Sequence, residues 1–330
     1  FPESHAASFA LLVYVSAWLK RYHPAAFSAA LLNSQPMGFY ASAQLVADVR
    51  GHGVEVRGVD INHSEWDCTI EGDATVRGWG VGAGVEAGVG ARARDGGPAL
   101  RLGLRMVGGL SEAVAERVVC ERERGEFESV QDLSRRVGLG EAELARLARA
   151  DVFGSLETAR REALWDALAD RSEQPLWDGE IGEEPVKLPG MGQAEQVLAD
   201  YRSQGLSLRG HPFECLRQRV RRLGAVRASE LPESGHGRQL AVAGLVLLRQ
   251  RPSSARGVTF VTLEDESGLA NLIIKQGVWE RCHQAARSAR AMLAFGTLQN
   301  QGGVVHLLVS RLVDLSEALG ELALRSRDFR

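Results

Sequence analysis

The 330-residue sequence predicts a multidomain α+β protein. Three observations carry that prediction. The front of the chain holds apolar segments of helical length, punctuated by Pro and Gly. In the middle, the turn Val107-Gly108-Gly109-Leu110 leads into an apolar helix, the pattern of a helix-hairpin-helix. The back holds five alternating strands with one helix between the third and the fourth, the order of an OB-fold β-barrel.

Taken in order, Ser4 reads as the N-cap of a helix reaching about Tyr22. Phe9, Leu12, Val13, Ala17 and Leu19 make it mostly apolar, so burial is expected. Pro24 opens a second helix to about Leu32, and a third runs from Ser42 to His52, ending at Gly53. "VEVRGVDIN" and "WDCTI" read as strands. Gly78–Gly97 holds eight glycines in twenty residues and lacks the Gly-Lys-Ser/Thr of a phosphate loop, so it reads as a surface insertion. A short strand is expected to end at Met106, and Ser111 to cap a helix with Val114, Ala115 and Val118 inward. A degenerate second hairpin follows, with helices at 141–150 and 157–169. An acidic linker comes next, then a helix at 193–204. The strands of the barrel are expected at 239–249, 258–264, 270–274, 291–299 and 304–312, with its helix at 278–287.

Composition narrows the function. No apolar run reaches the ~18 residues of a membrane span. The opening segment has no basic stretch before its apolar part, so it does not read as a signal peptide. Cys68, Cys120, Cys215 and Cys282 stand far apart, as expected of reduced cytoplasmic thiols, and His211 with Cys215 is too few ligands for zinc. The formal net charge of -3 hides a local pattern: residues 209–227 hold six arginines against Glu214 alone. That part of the chain suits a polyanion.

Candidate binding residues follow from this. Gly108, Gly109 and the amide of Ser111 would offer N–H groups beside a helix N-terminus to a duplex phosphate, with Arg105 and Arg117 close by. A plain helical hairpin, its glycines serving only close packing, is the other reading. Strand alternation puts Val261 and Leu263 on one face and Phe260, Thr262 and Glu264 on the other. Phe260 on an open barrel face would stack on an unpaired base, with Arg249, Arg251, Lys275 and His306 lining the groove. Phe260 in the core of a protein-binding barrel is the alternative. Ser4 and His5 lack a third member and a nucleophile elbow, so no catalytic dyad is read there. Glu264, Asp265 and Glu266 read as turn chemistry, and no acidic pair stands out as a metal clamp.

These residues resemble a known family. "ESHAASFALLVYVSAWLKRYHPAAFSAALLNSQPMGFY" is similar to the fingers region of the C-family bacterial DNA polymerases, kin of the polymerase III α subunit. The hairpins, "GLSLRGHP" and "FVTLEDESGLANL" follow in that family's order. "LLNSQPMGFY" and the end of the chain soon after the barrel resemble the error-prone, damage-inducible branch. The resemblance implies the C-terminal part of a translesion polymerase, whose palm aspartates, with their Mg²⁺, lie outside this sequence. It implies no cofactor and no polymerase activity for these residues alone. Ser4, His5 and Lys20 would lie near the incoming nucleotide or template. The hairpins would hold primer-template duplex and the barrel single-stranded template. "EQPLW" at 173–177 is a degenerate copy of the family's clamp-binding peptide, so mutasome partner proteins are expected to link it to the sliding clamp.

The expected organisation is the end of the fingers at 1–72, the glycine-rich insertion at 73–98 and the tandem helix-hairpin-helix at 99–170. The acidic linker and connecting helices take 171–235, the OB-fold 236–316 and a C-terminal tail 317–330. Two functions of different class remain: a DNA-gripping part of a polymerase, and a scaffold whose barrel and tail recruit mutasome partners.

Overall fold

A computed structural model describes residues 3–37, 40–72, 98–168, 188–319 and 327–329. The glycine-rich stretch, "EQPLW" and the acidic linker through residue 187 lie outside the described residues, as do 320–326 and 330 of the tail. The chain forms two compact units, residues 1–191 with 203–208 and residues 192–202 with 209–330.

The first unit begins with α1 (Glu3–Tyr22), α2 (Pro24–Asn33) and α3 (Ser42–Gly51). Ser4 lies inside α1 and does not cap it; its carbonyl accepts from the Ser8 hydroxyl. The expected burial of α1 is not seen, and none of its residues is buried. Its apolar residues run all round the helix, so packing against α2 covers only part of them. Short strands β1 (Val56–Arg57), β2 (Thr69–Glu71) and β3 (Ala99–Arg101) form a sheet in the order β1-β3-β2. The short strand expected to end at Met106 is β3 and ends at Arg101; Leu104–Met106 is a 3-10 turn.

Four helices complete this unit: α4 (Glu112–Arg122), α5 (Val130–Val137), α6 (Glu141–Arg149) and α7 (Arg160–Leu168). The sequence reading missed α5, although Ser129 caps it by accepting from the Asp132 N–H at 3.0 Å, and Gly138 closes it in the left-handed region. Leu100, Leu104, Val118, Phe127, Leu133, Leu147 and Phe153 share one core. Asn62 ties two loops into it by bonding both backbone groups of Phe127, at 2.9 and 3.0 Å.

The second unit contains most of α8 (Gln193–Gln204), then α9 (Arg217–Arg222) and β4 (Ala225–Val226). The barrel strands are β5 (Gln239–Gln250), β6 (Thr259–Asp265), β7 (Gly268–Ile274), β8 (Ala291–Gln301) and β9 (Val304–Asp314). α10 (Gln276–Arg281) and α11 (His283–Ser288) replace the single helix expected between β7 and β8. β10 (Arg327–Phe329) lies parallel to the end of β5. β5 pairs with β6, β6 with β7, β7 with β9, β9 with β8, and β8 returns to β5. The five strands therefore close, and Val242, Val261, Leu263, Leu272, Met292 and Leu307 fill the interior.

Candidate nucleic-acid interface

The hairpin turn of the first unit is held by the Leu110 N–H donating to the Val107 carbonyl at 3.2 Å. Gly109 adopts φ +78, a conformation that Gly takes without steric cost. The N–H groups of Gly109 and Ser111 have no protein acceptor among the described residues. Ser111 is the N-cap of α4, and its side chain makes no capping bond. Gly108 departs from the expectation. Its N–H donates to the Ser203 carbonyl at 2.7 Å and is not open to a phosphate.

The expected cations are also engaged. Arg105 pairs with Asp67, donates to the Gln35 carbonyl at 3.4 Å and lies 5.8 Å over the Trp66 ring. Arg117 is half-exposed; it donates to the Val137 carbonyl at 3.1 Å and stands 3.8 Å from Glu143. The free cation at the turn is Arg146 of α6. It is exposed, has no ion pair among the described residues, and its Nε would lie 3.5 Å from a Cβ on Gly109. Sequence reasoning missed it because it looked for cations beside the turn in the chain. The helical period of "EAELARLAR" did carry a signal, since it leaves Arg146 outside while Leu144, Ala145, Leu147 and Ala148 turn inward.

At the front of the unit, His5 meets the Phe9 ring edge-on at 4.5 Å, and Lys20 pairs with Asp48 at 2.8 Å. A nucleotide phosphate would therefore compete with Asp48 for the Lys20 ammonium.

In the second unit the barrel presents Phe260 outward, 39% exposed, while Val261 and Leu263 are buried. Phe260 stands in a row across four strands, Gln250 on β5, Ile273 on β7 and Leu308 on β9. Arg251 follows Gln250 and lies 5.3 Å over the Trp279 ring. Lys275 follows Ile274, the partner of Thr259, and is exposed. These two cations therefore flank the Phe260 end of β6. His306 is half-buried, two residues along β9 from the row. Arg249 does not belong to the groove. It is buried, and its guanidinium caps the end of α11 by donating to the Ala286 carbonyl at 2.9 Å and to the Ala289 carbonyl.

The far end of β6 is acidic and largely enclosed. Burial, then the neighbouring Asp265, pushes the Glu264 carboxyl up to about 7. Burial acts upward on Asp265 too, but bonds from Ser267 and the Ala228 N–H, with Arg217 close by, hold it below the usual carboxylate range. Its Oδ1 accepts from the N–H groups of Ser267 and Gly268, so the expected turn chemistry is present. Burial pulls His211 down to about 4.

Residues 53–163 match the family model described as a helix-hairpin-helix motif. Over its whole length the chain is 47% identical to the error-prone DNA polymerase of Methylococcus capsulatus, of which it covers 31%. It is 48% identical to that of an Azoarcus species, of which it covers 30%. The chain thus spans about 30% of the length of the curated relatives it matches. Among solved structures, an asparaginyl-tRNA synthetase from Pyrococcus horikoshii is 21% identical over 27% of this chain and 22% of that one, with a TM-score of 0.24.

Proposed function

The chain is related over all its residues to the error-prone DNA polymerases, and on that premise we propose that it is the C-terminal part of such an enzyme and holds the DNA. The observation that supports this reading is the hairpin turn with two open N–H groups and Arg146 beside Gly109, inside the helix-hairpin-helix match. Amides and a guanidinium together suit a backbone phosphate and read no sequence. The Phe260 row, flanked by Arg251 and Lys275, suits unpaired bases. The duplex would meet the first unit and the single-stranded template the second. In the whole enzyme this grip would serve translesion extension in the cytoplasm, with partner proteins linking it to the clamp.

The Mg²⁺ of a polymerase would need a cluster of carboxylates. Among the described residues no group of three or more His, Cys, Asp or Glu is placed to hold a metal ion. In this reading the ion belongs to carboxylates elsewhere in the polymerase. Among the described residues no helix is long and apolar enough to cross a membrane.

The test is titration of a labelled primer-template and a labelled single strand at several salt concentrations. The expected result is binding of both, with affinity falling by ~0.9 log units per log salt for each duplex phosphate held. Primer extension by the chain alone, with Mg²⁺ and nucleotides, is expected to be nil. A scaffold that docks partner proteins is the second reading. The outward apolar side chains Phe260 and Leu269 on the barrel favour it. Salt-insensitive binding of a protein partner with no DNA binding would establish it instead.

A further inference from the structure

α9 carries four arginines in six residues, and the structure treats them unequally. Arg217 is neutralised. It reaches Asp265 at 2.7 Å and Glu266 at 2.6 Å, and the Glu266 contact is bidentate. With Val220 buried on the same side, that clamp seats the helix on the second unit. Arg219, Arg221 and Arg222 are exposed and form no ion pair among the described residues. Exposed Arg227 adds a further cation, 3.4 Å from the already engaged Glu266. No acidic residue lies on α9 to offset them.

Arg219 and Arg222 are one helical turn apart and repel each other. No carboxylate among the described residues pairs with either of them, and an external polyanion would relieve that repulsion. Arginine also suits the ligand, since its fork pairs with phosphate oxygens in a fixed plane.

The position of α9 narrows the polyanion. Glu266, which grips Arg217, directly follows β6, and Phe260 lies six residues back along that strand. At about 3.3 Å per residue the two are roughly 20 Å apart. A nucleic acid whose bases stack on Phe260 is unpaired there, and its backbone must leave the barrel in some direction. We propose that the α9 ridge of Arg219, Arg221 and Arg222 is a second phosphate site of this unit, taking the backbone of single-stranded DNA that has passed the Phe260 row. The inference rests on the DNA-holding reading above and adds residues and a path that neither the hairpin nor the barrel groove supplies.

The experiment uses the full chain. Labelled oligothymidylates of about 6 and about 24 nucleotides fall within and beyond the ~4–16 nucleotides that one barrel covers. Three proteins are compared: wild type, R219E/R221E/R222E, and R219K/R221K/R222K. Charge reversal is expected to weaken the long strand by tenfold or more and to lower its salt slope by up to ~2. The short strand should lose little, and the lysine variant should keep most of the slope. Melting temperature should be unchanged, because these side chains are exposed; R222E alone, expected to give about a third of the slope change, serves if the triple variant folds poorly. Wild-type binding with an unchanged long-strand slope in the reversed variant would overturn the ridge and leave the DNA-holding reading intact. That same outcome would point to an acidic protein segment as the occupant. Equal losses for both lengths would also overturn it. No wild-type binding at low salt would overturn both readings.

Discussion

The backbone N–H of Gly108 donates to the carbonyl of Ser203 at 2.7 Å, and a Cβ on Gly108 would stand 2.9 Å from that same oxygen. The glycine is therefore a joint within the first unit before it is anything to DNA. Gly108→Ala should lower stability by about 1–3 kcal/mol, the range of overpacking in a closed site. Urea denaturation would show the midpoint fall. Duplex affinity of the remaining folded protein should stay close to wild type.

Arg146→Ala should do the reverse. The side chain is exposed, so stability should hold within about 0.5 kcal/mol. Duplex binding should weaken alike for unrelated sequences, and the salt slope should drop by ~0.9. Anisotropy titrations on two duplexes of different sequence check both statements.

Phe260→Ala should cost about 1–3 kcal/mol of single-strand affinity and leave the salt slope nearly unchanged, since stacking releases no counterions. Arg251→Ala should flatten the slope instead. Loss of slope in the Phe260 variant would mean that its ring positions a cation and does not stack.

Arg249→Leu should destabilise the barrel, because it leaves the Ala286 and Ala289 carbonyls without that donor. A buried acceptor left open costs about 1–3 kcal/mol. The salt slope for single strands, measured on the folded fraction, should not change.

Glu264 gives stability a pH dependence of defined sign. Its folded-state value of about 7 lies above the ordinary glutamate value of 4.5. Between those values the folded state keeps a proton that the unfolded chain has released. Stability is therefore fully present below about 4.5 and falls as pH rises to 7. His211 acts oppositely, its contribution present above 6.5 and lost as pH falls through about 4. Glu264→Gln should remove the loss on the alkaline side, by a few kcal/mol at pH 8. Melting curves of both proteins from pH 5 to 8 should diverge with rising pH; parallel curves would refute the assignment.

The barrel was legible because each strand alternates and turn residues punctuate the run. Phe260 and its inward neighbours Val261 and Leu263 fall where a period of two puts them. What stayed hidden depends on distant partners. Arg249 resembles Arg251 in sequence, and only the fold brings the end of α11 over one of them. Lys20 is tied by Asp48, Gly108 by Ser203, and Gly109 meets Arg146, all from other segments. The apolar content of α1 showed a helix but not that its side chains stay uncovered.

Barrel closure has a consequence for how the chain comes into being. One edge of β5 pairs with β6, which follows soon after it, but the other waits for β8, which comes only after β6, β7, α10 and α11 have been made. At ~5–20 residues per second, that edge stays open on the ribosome for several seconds. Meanwhile "LAVAGLVLL" offers an uncharged, hydrogen-bond-hungry ribbon to any neighbouring chain. The yield of folded protein is then set by a race between elongation and misassembly, and slow codons between β6 and β8 would tilt it the wrong way.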